Sequence, residues 1–198
     1  MTNALILLLG FGAAAFLLQS APVSAADAAA DKAMVAACDA CHGENGISRT
    51  PLVPSLAGEP NDFTQWQLVY FRSGARKSEV MEPIAKSLDN DQIRNIGAYY
   101  ASLPPSKPPD APPDALALTG GKLAAQHRCR SCHGEDYAGI GPTARLAGQR
   151  EDVLLKALHD FKSGARIGSG GVASMADVMY GLSDSDMQAL AHYMAAHP

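Results

Sequence analysis

A length of 198 residues, 47% of them hydrophobic and 18% charged, fits one or two ordinary globular domains. The formal net charge of −4 leaves no basic surplus of the kind that recruits nucleic acid. All 4 cysteines fall in two short motifs, so no spare thiol is left to act as a nucleophile.

The N-terminus reads as an export signal. Ala4 to Leu18 is an uncharged apolar run, followed by Gln19, Ser20 and Pro22, and Val23-Ser24-Ala25 supplies a small-x-small cleavage site. Residues 1–25 are therefore expected to be removed. Thr2 and Asn3 stand where Lys or Arg is usual, and an uncleaved anchor is the rival reading. That run falls short of the roughly 20 apolar residues a spanning helix needs, and Pro22 breaks it. Either outcome puts the remainder outside the cytoplasm, and a periplasmic location is expected.

A short helix over 31–38 leads into Cys38-Asp39-Ala40-Cys41-His42-Gly43, which returns as Cys129-Arg130-Ser131-Cys132-His133-Gly134 after a helix over 119–129. Cys-x-x-Cys-His is the attachment signature of c-type haem. Two intervening residues in a helical turn put both sulfurs on one porphyrin edge, and the next imidazole can reach the iron. A zinc ribbon wants its Cys pairs about 15–20 residues apart, whereas these lie 91 positions apart. A thioredoxin-like pair wants a βαβ context that is not visible, and two disulfides would not explain the repeated His. Two covalently bound haem c groups are expected, on Cys38 with Cys41 and on Cys129 with Cys132, with His42 and His133 as axial ligands.

The repeat extends well beyond the motif. Leu56-Ala57-Gly58 recurs as Leu146-Ala147-Gly148, and Phe71-Arg72-Ser73-Gly74-Ala75-Arg76 as Phe161-Lys162-Ser163-Gly164-Ala165-Arg166, both at an offset of 90. Further on the offset is 94, pairing Leu88 with Leu182, Tyr99 with Tyr193 and Pro104 with Pro198. Helices are predicted over 62–72 and 152–162, with Phe63, Trp66 and Tyr70 on one face and Gly74 and Gly164 as stops. The last helix of each copy opens on a capping signature, Asp89-x-x-Gln92 and Ser183-x-x-Asp186. Its apolar face follows as Ile93, Ile96, Tyr99 and Tyr100, or Met187, Leu190, Tyr193 and Met194. No strand-like alternation competes, so the fold class is all-α.

Between the copies, residues 104–114 hold 6 of the 13 prolines. Such a run predicts an extended, semi-rigid spacer. The expected organisation is signal 1–25, domain one 26–103, spacer 104–114 and domain two 115–198. Each copy is small for its core, and haem would supply the missing apolar volume. Residues 27–103 hold 7 basic and 10 acidic side chains, a balance of −3, while 115–198 hold 8 of each.

For the second axial position the candidates are Met81 and Met175, each seven residues before the matched Leu88 and Leu182, on the loop ahead of the last helix. Thioether ligation favours ferrous iron and raises the potential. Met179, one turn on, and the Gly168-Ser169-Gly170-Gly171 insertion leave Met175 open to a rival. His127, His159, His192 and His197 have no duplicate in the first copy and read as surface or satisfied histidines. The loops over 51–56 and 142–146 are expected to offer each ligating imidazole a carbonyl, less securely in copy two, where Ala144 replaces Pro54. Arg76 and Arg166 are candidates for haem propionates or for a solvated face.

The doubled order Cys-x-x-Cys-His-Gly, Pro-x-Leu-Ala-Gly, Phe-x-Ser-Gly, Met-x-x-Ile-Ala-x-x-Leu and Ala-Tyr-Tyr resembles cytochrome c4. In copy one this is Cys38 to Gly43, Pro54 to Gly58, Phe71 to Gly74, Met81 to Leu88 and Ala98 to Tyr100. In copy two, Ala176-Asp177-Val178-Met179 departs from the Ile-Ala pair usual after the Met. The resemblance implies two tandem class I cytochrome c domains and an exported electron carrier, passing electrons in a respiratory chain towards a terminal oxidase or from a dehydrogenase. The expected partners are redox proteins: a membrane cytochrome complex, an oxidase or a dehydrogenase. A cytochrome subunit of a dehydrogenase complex is the alternative. A di-haem enzyme, a peroxidase or a thiosulfate-oxidising cytochrome, is the minority reading, because closed coordination leaves no position for substrate.

Overall fold

The computed structural model describes residues 25–108, 112–166 and 175–198. The signal-like stretch up to residue 24, positions 109–111 of the spacer and the glycine-rich run at 168–171 lie outside them. Among the described residues the chain is helical, without strands, and the repeat seen in the sequence is a repeat of helices. The first set is α1 (Ala25–His42), α2 (Asn61–Ser73), α3 (Met81–Lys86) and α4 (Asn90–Ser102). The second is α5 (Ala115–Gln126), α6 (Arg130–His133), α7 (Glu151–Lys162), α8 (Met175–Met179) and α9 (Asp184–Ala196).

Helix α1 is longer than the sequence predicts and carries the whole first motif. Its counterpart is cut in two. The N–H of Arg128 donates to Ala125 O (3.2 Å) and that of Cys129 to Ala124 O (3.0 Å), while Arg128 takes a positive φ of 53°. This is the left-handed helix stop usually given to glycine. α6 then restarts for one turn to carry Cys132 and His133.

Both predicted capping boxes are present. Asp89 accepts from the Gln92 N–H and Ser183 from the Asp186 N–H, and in each the third side chain reaches back to the cap N–H. Gly74, with φ 75°, ends α2 as expected. The buried stripe of α2 differs from the predicted one. Thr64, Leu68 and Phe71 face inward, whereas Trp66 is 47% exposed and stacks on Tyr70 at 5.7 Å. The two aromatics satisfy each other on the outside, so their spacing did not mark the core.

Each domain has its own core. Leu68, Ile93, Ile96 and Tyr100 form the first. Leu154, Met179, Leu182, Met187, Leu190 and Met194 lead the second, beside Tyr137. α5 and α9 cross closely at Gly120, where a Cβ would meet Ala189 O at 2.1 Å.

The start of the spacer is seated on both domains rather than spanning open solvent. Pro105 lies over Gly58 and Ser106 over Gly148, where added Cβ atoms would come within 2.8 Å and 2.6 Å of them. Ser106 Oγ also donates to Gly148 O. The repeated Leu-Ala-Gly turns are thus the floor on which the spacer runs. Among the described residues no helix is long and apolar enough to cross a membrane.

Candidate haem-binding sites

In each domain the site is assembled from a helix end, the loop after it and the short helix ahead of the last one. α1 presents Cys38 half-buried and Cys41 exposed, and the second motif does the same with Cys129 and Cys132; none of the four is in a disulfide. Burial pushes the Cys38 and Cys129 thiols up, an effect the nearby Tyr100 hydroxyl opposes at Cys38.

His42 and His133 are buried, with 8% and 7% exposure. His42 Nδ1 lies 2.9 Å from Pro54 O, and His133 Nδ1 lies 2.8 Å from Ala144 O. A carbonyl only accepts, so Nδ1 carries the proton and Nε2 keeps its lone pair for a metal. Burial lowers the pKa of both imidazoles, opposed by these carbonyl bonds. Each ring is therefore neutral at pH 7, the form that ligates. Ala144 serves as well as Pro54, because the backbone carbonyl and not the side chain does the work. The loop is held by its own backbone: Leu56 N–H donates to Gly46 O at 2.7 Å and Leu146 N–H to Tyr137 O at 2.8 Å.

Met81 and Met175 each open a short helix, α3 and α8, where the sequence suggested a loop. The reason is local in domain one. Ser78 Oγ accepts from the Met81 N–H at 3.1 Å, Glu82 Oε1 accepts from the Ser78 N–H at 3.1 Å, and the turn nucleates a helix. Met81 packs half-buried on the same apolar cluster as Cys38, and Met175 on the same cluster as Cys129. Met179 is 2% exposed in the second core, in the place that Ala85 fills in the first. The core reading thus suits Met179.

The other histidines have partners. His192 sits between Glu151 (2.9 Å) and Asp114 (3.3 Å). His197 lies edge-on to Tyr137, with ring centroids 4.9 Å apart. His159 is exposed, 4.0 Å from Asp184, and His127 closes α5. Arg76 and Arg166 do not form a solvated face. They lie over Phe71 and Phe161, at 4.5 and 4.6 Å from the ring centroids. Both donate to Gln67 Oε1, at 2.7 and 3.1 Å.

A polar joint between the domains went unread in the sequence. Glu59 and Gln149, both buried, reach across it. Glu59 Oε2 accepts from the Arg145 N–H at 3.0 Å, and Gln149 Oε1 from the Ser55 N–H at 2.9 Å. The available signal was the repeat itself: Glu59 and Gln149 follow the matched Leu-Ala-Gly turns at the same offset of 90.

Two thiols one helical turn apart, a neutral imidazole aimed by Nδ1, and a thioether on the same apolar wall form a donor set that fits haem c in each domain. The family comparison agrees. The family described as Cytochrome c matches residues 117–198. A thiosulfate dehydrogenase electron acceptor of Thiomonas intermedia is 34% identical, over 82% of this chain and 79% of the relative. Cytochrome c4 of Pseudomonas aeruginosa is 32% identical, over 86% of this chain and 89% of the relative. The crystal structure of reduced recombinant cytochrome c4 from Pseudomonas stutzeri superposes with a TM-score of 0.78 at 30% identity, covering 87% of this chain and 99% of that one. The chain belongs to the cytochrome c4 family: it is a two-domain c-type cytochrome, an electron-transfer protein that binds haem c covalently.

Proposed function

We propose that this chain holds two haem c groups and ferries electrons between redox proteins of the periplasm. One haem is linked to Cys38 and Cys41 with His42 and Met81 as axial ligands. The other is linked to Cys129 and Cys132 with His133 and Met175. The units are a signal at 1–25, a domain at 26–103, a spacer at 104–114 and a domain at 115–198. The observation that carries this reading is the doubled pairing of a buried, neutral imidazole with a loop carbonyl, at 2.9 and 2.8 Å.

Haem iron with such ligands supplies a one-electron ferric–ferrous couple, with Met raising its potential relative to His. The protein residues do the rest. Pro54 and Ala144 fix the tautomer and orientation of the imidazoles. The apolar clusters keep water from the ligands, and α3 and α8 present the thioethers from short, anchored turns. With His42 and Met81, or His133 and Met175, holding the iron from either side, no position would be left for substrate. A respiratory oxidase as acceptor and a dehydrogenase as donor are the partners that suit such a carrier. The name of the Thiomonas intermedia relative favours a dehydrogenase as electron donor.

The test is the mass of the exported protein together with its ferric spectrum. Two added haems and a weak band at about 700 nm, the mark of Met on ferric iron, support the reading. Met81→Ala and Met175→Ala should each remove part of that band. A mass with one haem, or a band indifferent to both substitutions, refutes it. Rapid reduction of the ferric protein by a purified dehydrogenase with its substrate would favour that donor.

A further inference from the structure

The N–H of Arg145 and the C=O of Ala144 belong to one planar peptide group. Glu59 of domain one accepts from that N–H at 3.0 Å, while the same group's carbonyl oxygen is 2.8 Å from His133 Nδ1 in domain two. The mirror arrangement is present in the other direction. Gln149 of domain two accepts from the Ser55 N–H at 2.9 Å, and the Pro54 carbonyl of that peptide meets His42 Nδ1 at 2.9 Å. Gln149 Nε2 also donates to Ser55 O at 2.9 Å. Each domain therefore holds the far side of the peptide that orients the other domain's ligating histidine.

We propose that Glu59 and Gln149 are reciprocal tuning residues, each setting the electron-donating strength of the opposite domain's axial histidine through a single peptide group. The proposal rests on His42 and His133 being the axial ligands. A hydrogen bond on the N–H side polarises the amide and makes its carbonyl a stronger acceptor. That carbonyl then draws harder on the Nδ1 proton, and the imidazole donates more strongly to iron, which favours the ferric state. A carboxylate does this roughly twice as strongly as a neutral amide. The accepting group differs between the two relays, an acid at Glu59 and an amide at Gln149, so the domains are tuned unequally from one duplicated framework.

Charge around Glu59 comes from domain two, with Arg145 and Arg166 facing it and Gln149 beside it at 3.5 Å. Burial nonetheless raises its pKa to about 7. The domain-two haem should therefore ease towards the ferric state as pH rises through that value.

The experiment is an NMR-monitored redox titration of the full di-haem protein, following the haem methyl signals of each domain. Glu59→Gln keeps the contact and removes the charge, copying the natural Gln149. Glu59→Asp keeps the charge and withdraws it by one methylene from the Arg145 N–H. At about pH 8 both should raise the ferrous-to-ferric ratio of the haem on Cys129 and Cys132 several-fold, up to about tenfold, or roughly 59 mV for one electron. The haem on Cys38 and Cys41 should move little, and Gln149→Glu should lower its ratio instead. The proposal is overturned if Glu59→Gln shifts both haems equally, or if Glu59→Asp leaves domain two unchanged, because charge would then act through space. An unperturbed potential with the low-spin, Met-ligated spectrum intact would sink the relay alone. Low-spin ferric iron in domain two that survives His133→Ala would instead remove the ligand assignment beneath it.

Discussion

Replacing Glu59 by Gln should change how stability responds to pH, and the sign follows from the site. A glutamate ionises near 4.5 when solvated, whereas burial at the domain joint moves Glu59 to about 7. Between those values the folded state binds more protons than the unfolded one, so stability falls as pH rises. That rise from 4.5 to about 7 corresponds to about 3 kcal/mol lost between mildly acidic and mildly alkaline solution. The Arg145 N–H, Gln149 and the positive charges of Arg145 and Arg166 oppose the loss without cancelling it. Glu59→Gln has no charge to bury and keeps an acceptor for the Arg145 N–H. Urea unfolding of the haem-loaded protein at about pH 4, 6 and 8 should show the variant matching the parent in acid and exceeding it at the alkaline end. The difference belongs to the first unfolding transition, because the joint is lost when either domain opens. Equal pH slopes for the two proteins, or a variant weaker at about pH 8, would refute the assignment of a strained buried acid.

Other consequences are as direct. Tyr100→Phe removes the hydrogen bond from a fully buried ring to Asp39, 2.8 Å long, and should cost domain one about 2 kcal/mol in urea unfolding. Tyr137→Gly empties a site only 1% exposed in domain two. It should cost about 3 kcal/mol, and adding Met194→Tyr should return part of it. His192 gains its raised pKa first from the Glu151 hydrogen bond and then from the charges of Glu151 and Asp114. Its contribution is complete below about pH 6.5 and fades as pH climbs through its folded value. A comparison of His192→Gln with the parent should show a gap at the acid end that closes towards alkaline solution.

The parts of this molecule legible in the sequence are those set by local chemistry. Asp89 with Gln92 and Ser183 with Asp186 announced helix starts because a cap needs only its own first turn. Cys38, Cys41 and His42 read as a haem attachment motif by their spacing alone, and the structure sets His42 Nδ1 on a loop carbonyl. The all-α fold followed from the doubled helical pattern. What escaped was set by distant partners. Trp66 looked like core by its spacing, but its company is Tyr70 on the outer face. Arg76 and Arg166 were open to haem propionates or a solvated face, but each covers a phenylalanine and both donate to Gln67 of domain one. Glu59 went unread, since nothing within one repeat says that a neighbouring repeat will bury it.

The two domains also show how a duplicated core can keep its volume while moving its parts. In domain one the hydroxyl reaching the motif comes from the last helix: Tyr100 donates to Asp39. Its ring crowds Gly46, where a Cβ would fall 2.7 Å from Tyr100 Cδ1. In domain two the position matching Gly46 is Tyr137, and the position matching Tyr100 is Met194. The aromatic ring has moved from the helix to the loop, and the thioether from the helix fills what remains. Tyr137 accepts a positive φ of 51° there, a conformation that disfavours a bulky residue, and its hydroxyl meets Arg130 Nε at 3.3 Å. The motif position opposite the hydroxyl changes from Asp39 to Arg130, so the charge within the motif reverses as well. Gly46 cannot take a side chain while Tyr100 stays, so these positions change together. The halves therefore differ by matched substitutions that preserve the packing around the histidine-bearing turn, while the charge beside that turn is free to change sign.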